Sequence, residues 1–355
     1  DVVGRLPEFQ KTYAQGSGGV FSTTSGTSWG PKISELPNDA TYGGNTDNEY
    51  TQKFGKQQGK YYVPQRAAAG LDPWATPQAY DNAKDFFDTG ITWSNSLNVA
   101  QMLDKSSYSI SLGNTHQDGI ISSTGMDRYN VKVSADTKLT NNWSSGFTAN
   151  YITTSIDKAV TSGNGLLRTV YAAPPSYDLA GIPSHVDGNP YTQNSFRGSF
   201  DNAYWAMENN KFTEDTNRFF GNVYASYQTD FGTTNHKLNA KYMVGVDAYT
   251  THYVDSYGYG SNTGGGRGQI ENYGWTNATY NSLLTINYDW HINEDWGLNA
   301  VVGNEIIQSN RKKYYEYGTN YNFPGWNHIN NASIYQSSKS YNKKRTVGNF
   351  ANLSL

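Results

Sequence analysis

Tyr129-Asn130-Val131-Lys132-Val133-Ser134-Ala135-Asp136-Thr137, a turn at Thr140-Asn141-Asn142, then Trp143-Ser144-Ser145-Gly146-Phe147-Thr148-Ala149-Asn150-Tyr151: this stretch decides the fold. Larger or more apolar side chains fall on every second residue, with Asn, Lys, Ser, Asp and Thr between them. A strand puts successive side chains on opposite faces, so this spacing predicts two half-apolar antiparallel strands. The same pattern precedes them, with Leu97 and Val99 in one run and Tyr108, Ile110 and Leu112 in the next. It resumes through Phe219, Val223 and Tyr227, then through Leu238, Tyr242, Val244 and Val246. Leu284, Ile286, Tyr288 and Trp290 carry another run, Leu298, Ala300 and Val302 the next, and a last strand opens at Thr346. About nine strands of about 10–15 residues are expected, longer than the usual strand of about 5–6.

The connections alternate in length. Short turns near 103–106, 139–142, 232–236 and 292–295 separate long connections at 117–127, 155–216, 251–278 and 309–345. A sandwich has no need of that order. A transmembrane β-barrel does, with short periplasmic turns and long extracellular loops, and a tilted strand of about 9–11 residues crosses the bilayer. Trp143, Phe231, Trp290 and Trp296 stand beside short turns, and Tyr151, Phe219, Tyr249 and Tyr280 at the opposite ends. Two such belts are expected as membrane-interface girdles. Val244 and Leu298 share the belt face and are expected to meet lipid, whereas Asn239 and Asn299 are not. The alternative is a secreted β-rich protein.

Composition agrees. Among 355 residues there are 36 Gly and 29 Tyr, only 16% are charged, and Cys is absent. That composition favours strands and loops over helices and removes disulfides, thiol nucleophiles and Cys–zinc sites. A formal net charge of −3 argues against a nucleic-acid partner. No window approaches the roughly 18 apolar residues of a membrane-crossing helix, which says nothing about a barrel. Residues 1–91 read as one long structured extracellular loop region, rich in Pro (Pro7, Pro31, Pro37, Pro64, Pro73, Pro77), with one short helix around Pro77 to Phe87. Residues 92–355 carry the strands. The chain opens Asp1-Val2-Val3-Gly4 and closes on Leu355 within an apparent strand, so it reads as a piece of a longer protein.

No catalytic constellation stands out, and the expectation is that the protein is not an enzyme. Gly26-Thr27-Ser28-Trp29-Gly30 fits a G-x-S-x-G elbow, but Pro31 follows where a helix is required, so a turn is expected. The six histidines have no metal-ligand spacing, and no cofactor is expected. Asp85 with Asp88, and Glu208 with Glu214, read as solvated loop charges. The loop aromatics Trp29, Trp74, Tyr204, Trp205 and Trp326 have two readings: stacking against a ligand or partner, or packing the loops together. Trp74, Tyr204, Trp205 and Trp326 are the candidates for contact.

Several short motifs, in order, resemble the SusC/RagA family of TonB-dependent outer-membrane transporters of Bacteroidetes. They include Tyr13-Ala14-Gln15-Gly16, Ser28-Trp29-Gly30-Pro31-Lys32, Phe86-Phe87-Asp88-Thr89-Gly90 and Asn95-Ser96-Leu97-Asn98-Val99. Asp104-Lys105-Ser106-Ser107-Tyr108, Gln117-Asp118-Gly119-Ile120-Ile121 and Arg128-Tyr129-Asn130 follow. Asn217-Arg218-Phe219-Phe220-Gly221 and Arg345-Thr346-Val347-Gly348-Asn349-Phe350 complete the series. The resemblance implies the middle of a barrel of about 22 strands whose lumen is plugged, with plug, TonB box and closing strand outside this segment. It implies import of nutrient oligomers, usually glycans and sometimes peptides, with energy from the TonB–ExbB–ExbD complex. It further implies a SusD-like surface lipoprotein over the long loops and outer-membrane lipid around the strands. A passive porin or a secreted adhesin is the alternative. Ala100-Gln101-Met102-Leu103 departs from the small residues usual before the first hairpin turn, and Leu355 from the aromatic that usually ends such barrels.

Overall fold

A computed structural model describes residues 8–160, 165–232 and 235–355. Pro7, the opening tetrapeptide and the Thr233-Thr234 part of one expected turn lie outside the described residues. Nine long strands form one antiparallel sheet in sequence order. They are β1 Thr92–Met102, β2 Ser106–Asp118, β3 Gly125–Lys138, β4 Trp143–Asp157 and β5 Lys211–Thr229. The others are β6 His236–Tyr257, β7 Gln269–His291, β8 Gly297–Tyr321 and β9 Ala332–Ser354. Each strand pairs with its sequence neighbour.

The ladder confirms the alternation and corrects the loop bounds. Connections expected at 117–127 and 155–216 narrow to 119–124 and 158–210. Those expected at 251–278 and 309–345 shrink to 258–268 and 322–331, because β6–β9 run 22 to 25 residues. The cause is chemical. Beyond Ala248 and Ile306, β6 to β9 carry Tyr, Thr, Asn, Lys and Glu on both faces, so apolar alternation stops while backbone pairing continues.

The two faces differ. One carries the row Tyr108, Ala135, Phe147, Val223, Val244, Ser282, Ile306 and Val347, linked partner to partner across eight strands. The adjacent row of the opposite face is Ser109, Ser134, Thr148, Asn222, Gly245, Asn281, Ile307 and Thr346. A Cβ at Gly245 would stand 2.3 Å from Asn281 Oδ1, so that amide would have to turn aside. Polar bonds knit the second face. Arg218 donates to both carboxylate oxygens of Asp247 at 2.9 and 2.7 Å, and Tyr224 donates to Asp136 at 2.6 Å.

Residues 8–90, 158–160 and 165–210 build a cap at the end of the sheet opposite the short turns. One helix was expected in the first segment. The structure has three, α1 Glu49–Phe54, α2 Pro64–Ala68 and α3 Asn82–Phe86, besides a 3-10 turn at Ile33–Asn38. The second segment adds α4 Leu166–Ala172 and α5 Ala203–Asn209. Helices of five to seven residues are too short to hold alone. Here they bury one core that includes Leu36, Phe86, Val170, Leu179, Phe196 and Trp205.

Buried amides join the two cap segments. Gln15 Nε2 donates to Phe196 O at 2.8 Å, and Asn82 Nδ2 to Pro174 O and Tyr177 O at 3.0 and 2.9 Å. Leu179 N returns a bond to Asn82 Oδ1, and Asn194 Nδ2 reaches Gln65 O. Burial raises the pKa of the Tyr61 and Tyr177 phenols, which keeps them neutral inside this core.

Asp201 ties the cap to the sheet. Its carboxylate accepts bonds from Gln193 Nε2 at 2.8 Å, Ser261 Oγ at 2.6 Å, Asn262 N at 2.8 Å and Asn262 Nδ2 at 2.9 Å. Asp201→Ala strips those donors of one shared acceptor and is expected to cost about 1–3 kcal/mol locally. Hydrogen exchange should speed up across 258–268 while β2–β4 stay unchanged; uniform exchange rates before and after would refute this role.

Candidate binding surface

The polar face becomes aromatic beneath the cap. Tyr253 of β6 pairs with Glu214 of β5 and Tyr273 of β7, and Tyr273 pairs with Tyr315 of β8. These side chains share one face because the register is unbroken. The Tyr253 and Tyr273 rings stack with centroids 4.8 Å apart and planes 6° from parallel, and Trp275 lies 5.5 Å from Tyr253. Cations cover the group: Lys158 Nζ sits 4.5 Å from the Tyr253 ring and Arg311 5.2 Å from the Trp275 ring. Acids flank it, with Tyr273 donating to Asp255 at 2.9 Å and Lys158 paired with Glu214 at 3.5 Å. Lys158 also borders a cavity of about 430 Å³ lined by Met207, Glu208 and Phe212. Flat rings edged by both signs of charge suit an oligomer with apolar faces and polar rims.

Sequence reasoning missed Tyr253, Tyr273, Trp275 and Tyr315, which fell in segments expected to be loops. It also gave no sign of Asp201, whose partners lie eight residues away and about sixty away.

The structure separates the candidate loop aromatics. Trp205 is fully buried; its Nε1 donates to Pro190 O at 2.9 Å, and α5 is capped by the Asn202 side chain. Trp74 is buried edge-on against Tyr62. Both rings pack the cap and present no face to an incoming ligand, which corrects the contact role expected for them. Tyr204 is half-buried edge-on against Phe86, and its hydroxyl donates to Asp85 O at 3.3 Å. Burial, followed by the charges of Asp85 and Asp88, raises its pKa. Trp326 is exposed and stacks between Phe323 at 5.8 Å and His328 at 5.1 Å. Trp29 is exposed beside Tyr13. The Gly26–Gly30 motif pairs with 14–19 through Gly16 N to Thr27 O and Trp29 N to Gly16 O, and no helix begins at Pro31. It is a turn.

The expected girdle residues all lie toward the short-turn end. Trp143 opens β4 with its ring 5.0 Å from Tyr227, and Trp290 stacks on His236 at 5.6 Å. Phe231 and Trp296 are exposed in turns, Phe231 with a left-handed φ of 54°.

A scan against protein-family models finds no match, and a search of curated proteins finds none. Solved structures do match. The RagAB peptide importer in its closed-closed state aligns with a TM-score of 0.61 at 16% identity, over 78% of this chain and 31% of that chain. The RagAB peptide transporter aligns at 0.61 and 15%, and the open-open state of the importer at 0.60 and 13%, over the same shares. The chain therefore spans about a third of the length of the chains it matches. At such identity the likeness speaks for the fold, and the fold is a nine-strand segment of antiparallel β-barrel wall shared with the RagAB importer.

Proposed function

We propose that the protein of which this chain is part is a TonB-dependent outer-membrane importer of nutrient oligomers, oligosaccharides or oligopeptides. A SusD-like surface lipoprotein would sit over the cap, and the TonB–ExbB–ExbD complex would drive transport through parts beyond these residues. One observation carries the reading. A single register puts an apolar row on one face and polar and aromatic residues on the other, with a folded cap at one end only. That is the anatomy of a wall between lipid and a lined passage. The matched structures are of a peptide importer, which supports oligomer transport and leaves both substrate classes in play. A passive porin is the second reading.

The cap is outside the cell and the short turns inside in this account. Ser199 in the cap and Glu294 in a short turn are both exposed. Single cysteines there, in the full-length protein on intact cells, should react with an impermeant maleimide at 199 and not at 294. Reaction at 294 alone would reverse the topology, and equal reaction would favour a secreted protein.

Tyr253→Ala with Tyr273→Ala removes the stacked pair from the polar face. A stacked ring contributes about 0.5–1.5 kcal/mol beyond burial, so capture of the nutrient by intact cells should weaken about tenfold, with thermal stability little changed. Trp326→Ala should weaken it less. Unchanged capture in the double variant would remove this surface from the substrate path.

A further inference from the structure

The apolar face of the β8–β9 hairpin ends abruptly in positive charge. From the short-turn end it carries Leu298, Ala300, Val302 and Ile306 on β8, and Leu353, Ala351 and Val347 on β9, interrupted by one polar pair, Asn304 and Asn349, bonded to each other at 2.7 Å. Continuing along the same face come Gln308, Asn310 and Lys312 on one strand, and Arg345, Lys343, Tyr341 and Lys339 on the other. Lys312 is paired with Tyr341 and Tyr314 with Lys339, so the four cations form one patch. All four are exposed, Lys312 on β8 and Lys339, Lys343 and Arg345 on β9, whose outer edge pairs with no described strand. Among the described residues no ion pair includes any of them, and Arg345 bonds only the neutral Gln308, at 3.0 Å. Glu316 is the one acid on that face of the hairpin. Lys312, Lys339 and Tyr341 border a shallow depression of about 490 Å³. Elsewhere the same face ends in acids instead: His116 bridges Asp127 at 2.7 Å and Asp118 at 3.3 Å, and Asp215 lies on β5.

Four unpaired cations directly beyond an apolar band, with Tyr341 among them, are placed to meet a lipid whose acyl chains lie against the band and whose anionic head reaches the cations. We infer that this patch docks the phosphorylated headgroup of an outer-leaflet lipid. Arg345 supplies a forked donor for phosphate, and the lysines supply point charges. Phosphate is the favoured head chemistry because four cations share one patch that holds a single acid, Glu316. The inference rests on the reading that the apolar face meets lipid.

The test uses the full-length protein in phosphatidylcholine nanodiscs doped with lipid A, with bound lipid counted by native mass spectrometry. The outward variant is Lys312→Gln, Lys343→Gln and Arg345→Gln. The control is Lys132→Gln, Lys241→Gln and Lys344→Gln, which removes equal charge from the polar face. Retained lipid A should fall at least about tenfold in the outward variant and stay near wild type in the control. Dephosphorylated lipid A should bind wild type and outward variant equally weakly, and excess inorganic phosphate should not displace lipid A. Equal losses in both variants, or no loss in the outward one, would overturn the proposal. Displacement by inorganic phosphate would overturn it in favour of a free-anion site. Failure of the wild-type protein to enter the nanodisc would overturn the membrane reading itself, an outcome separate from insertion without lipid selectivity.

Discussion

Trp205→Ala should unfold the cap and leave the sheet standing. The indole is fully buried in the core that unites the two cap segments, and Gly260 of the 258–268 connection approaches it so closely that a Cβ would lie 3.2 Å from Cζ2. Its Nε1–H donates to Pro190 O at 2.9 Å, so truncation leaves a cavity and strips that carbonyl of its nearer donor, Asn209 Nδ2 being the other at 3.5 Å. Large-to-small changes at such sites cost about 3–5 kcal/mol. That is enough to unfold a cap whose helices have five to seven residues each. Limited proteolysis should cut within 165–210 in the variant and spare β1–β9. The heat-dependent shift in electrophoretic migration that marks a folded barrel should persist. Trp74→Ala should produce a milder form of the same effect. Resistance to proteolysis with lost nutrient capture would return Trp205 to the ligand-contacting group.

The second large effect concerns the two faces of β6. Val244 pairs with Val223 and Ser282 on the apolar face, and Asn239 pairs with Gln228 and Asn287 on the polar one. Val244→Arg should destabilise the folded protein in lipid by about 2–4 kcal/mol, as expected for a cation facing hydrocarbon near the midplane. Asn239→Arg should cost well under half of that, because its side chain faces a polar surface. Leu298 shares the face of Val244 but is the second residue of β8, paired with Trp290 beside a short turn. Its Arg variant should therefore cost less, since the penalty falls toward the interface. Denaturant titration in lipid vesicles measures all three. Equal costs at 244 and 239 would mean that the sheet has no lipid-facing side.

Where burial is one-sided, the sequence was easy to read. Val131, Val133 and Phe147 share a face with Tyr151 because one face of the sheet is apolar and the other polar, which imposes period two, and that spacing needs no knowledge of tertiary structure. The upper halves of β6–β9 escaped notice because both faces there are polar: Thr251-His252-Tyr253 reads as loop, yet the backbone ladder runs through it. The cap was opaque for a different reason. α1 starts with an Asn48–Thr51 capping box, a weak signal in isolation, and the cap around it is tied together by bonds spanning more than a hundred positions, from Gln15 and Tyr61 to Ser176. The candidate site followed the same division. Trp205 and Trp74 were singled out by size and loop position alone, and only burial assigns them to packing. Tyr253 and Tyr273 were hidden because register, not spacing within one segment, makes them neighbours.

Uptake with and without TonB tests the proposed energised import. Cells that express the full-length protein as their sole transporter of a labelled nutrient oligomer should accumulate it, and deletion of TonB should abolish accumulation while surface binding persists. Accumulation that continues at the same rate without TonB would contradict the account and leave a passive porin in its place.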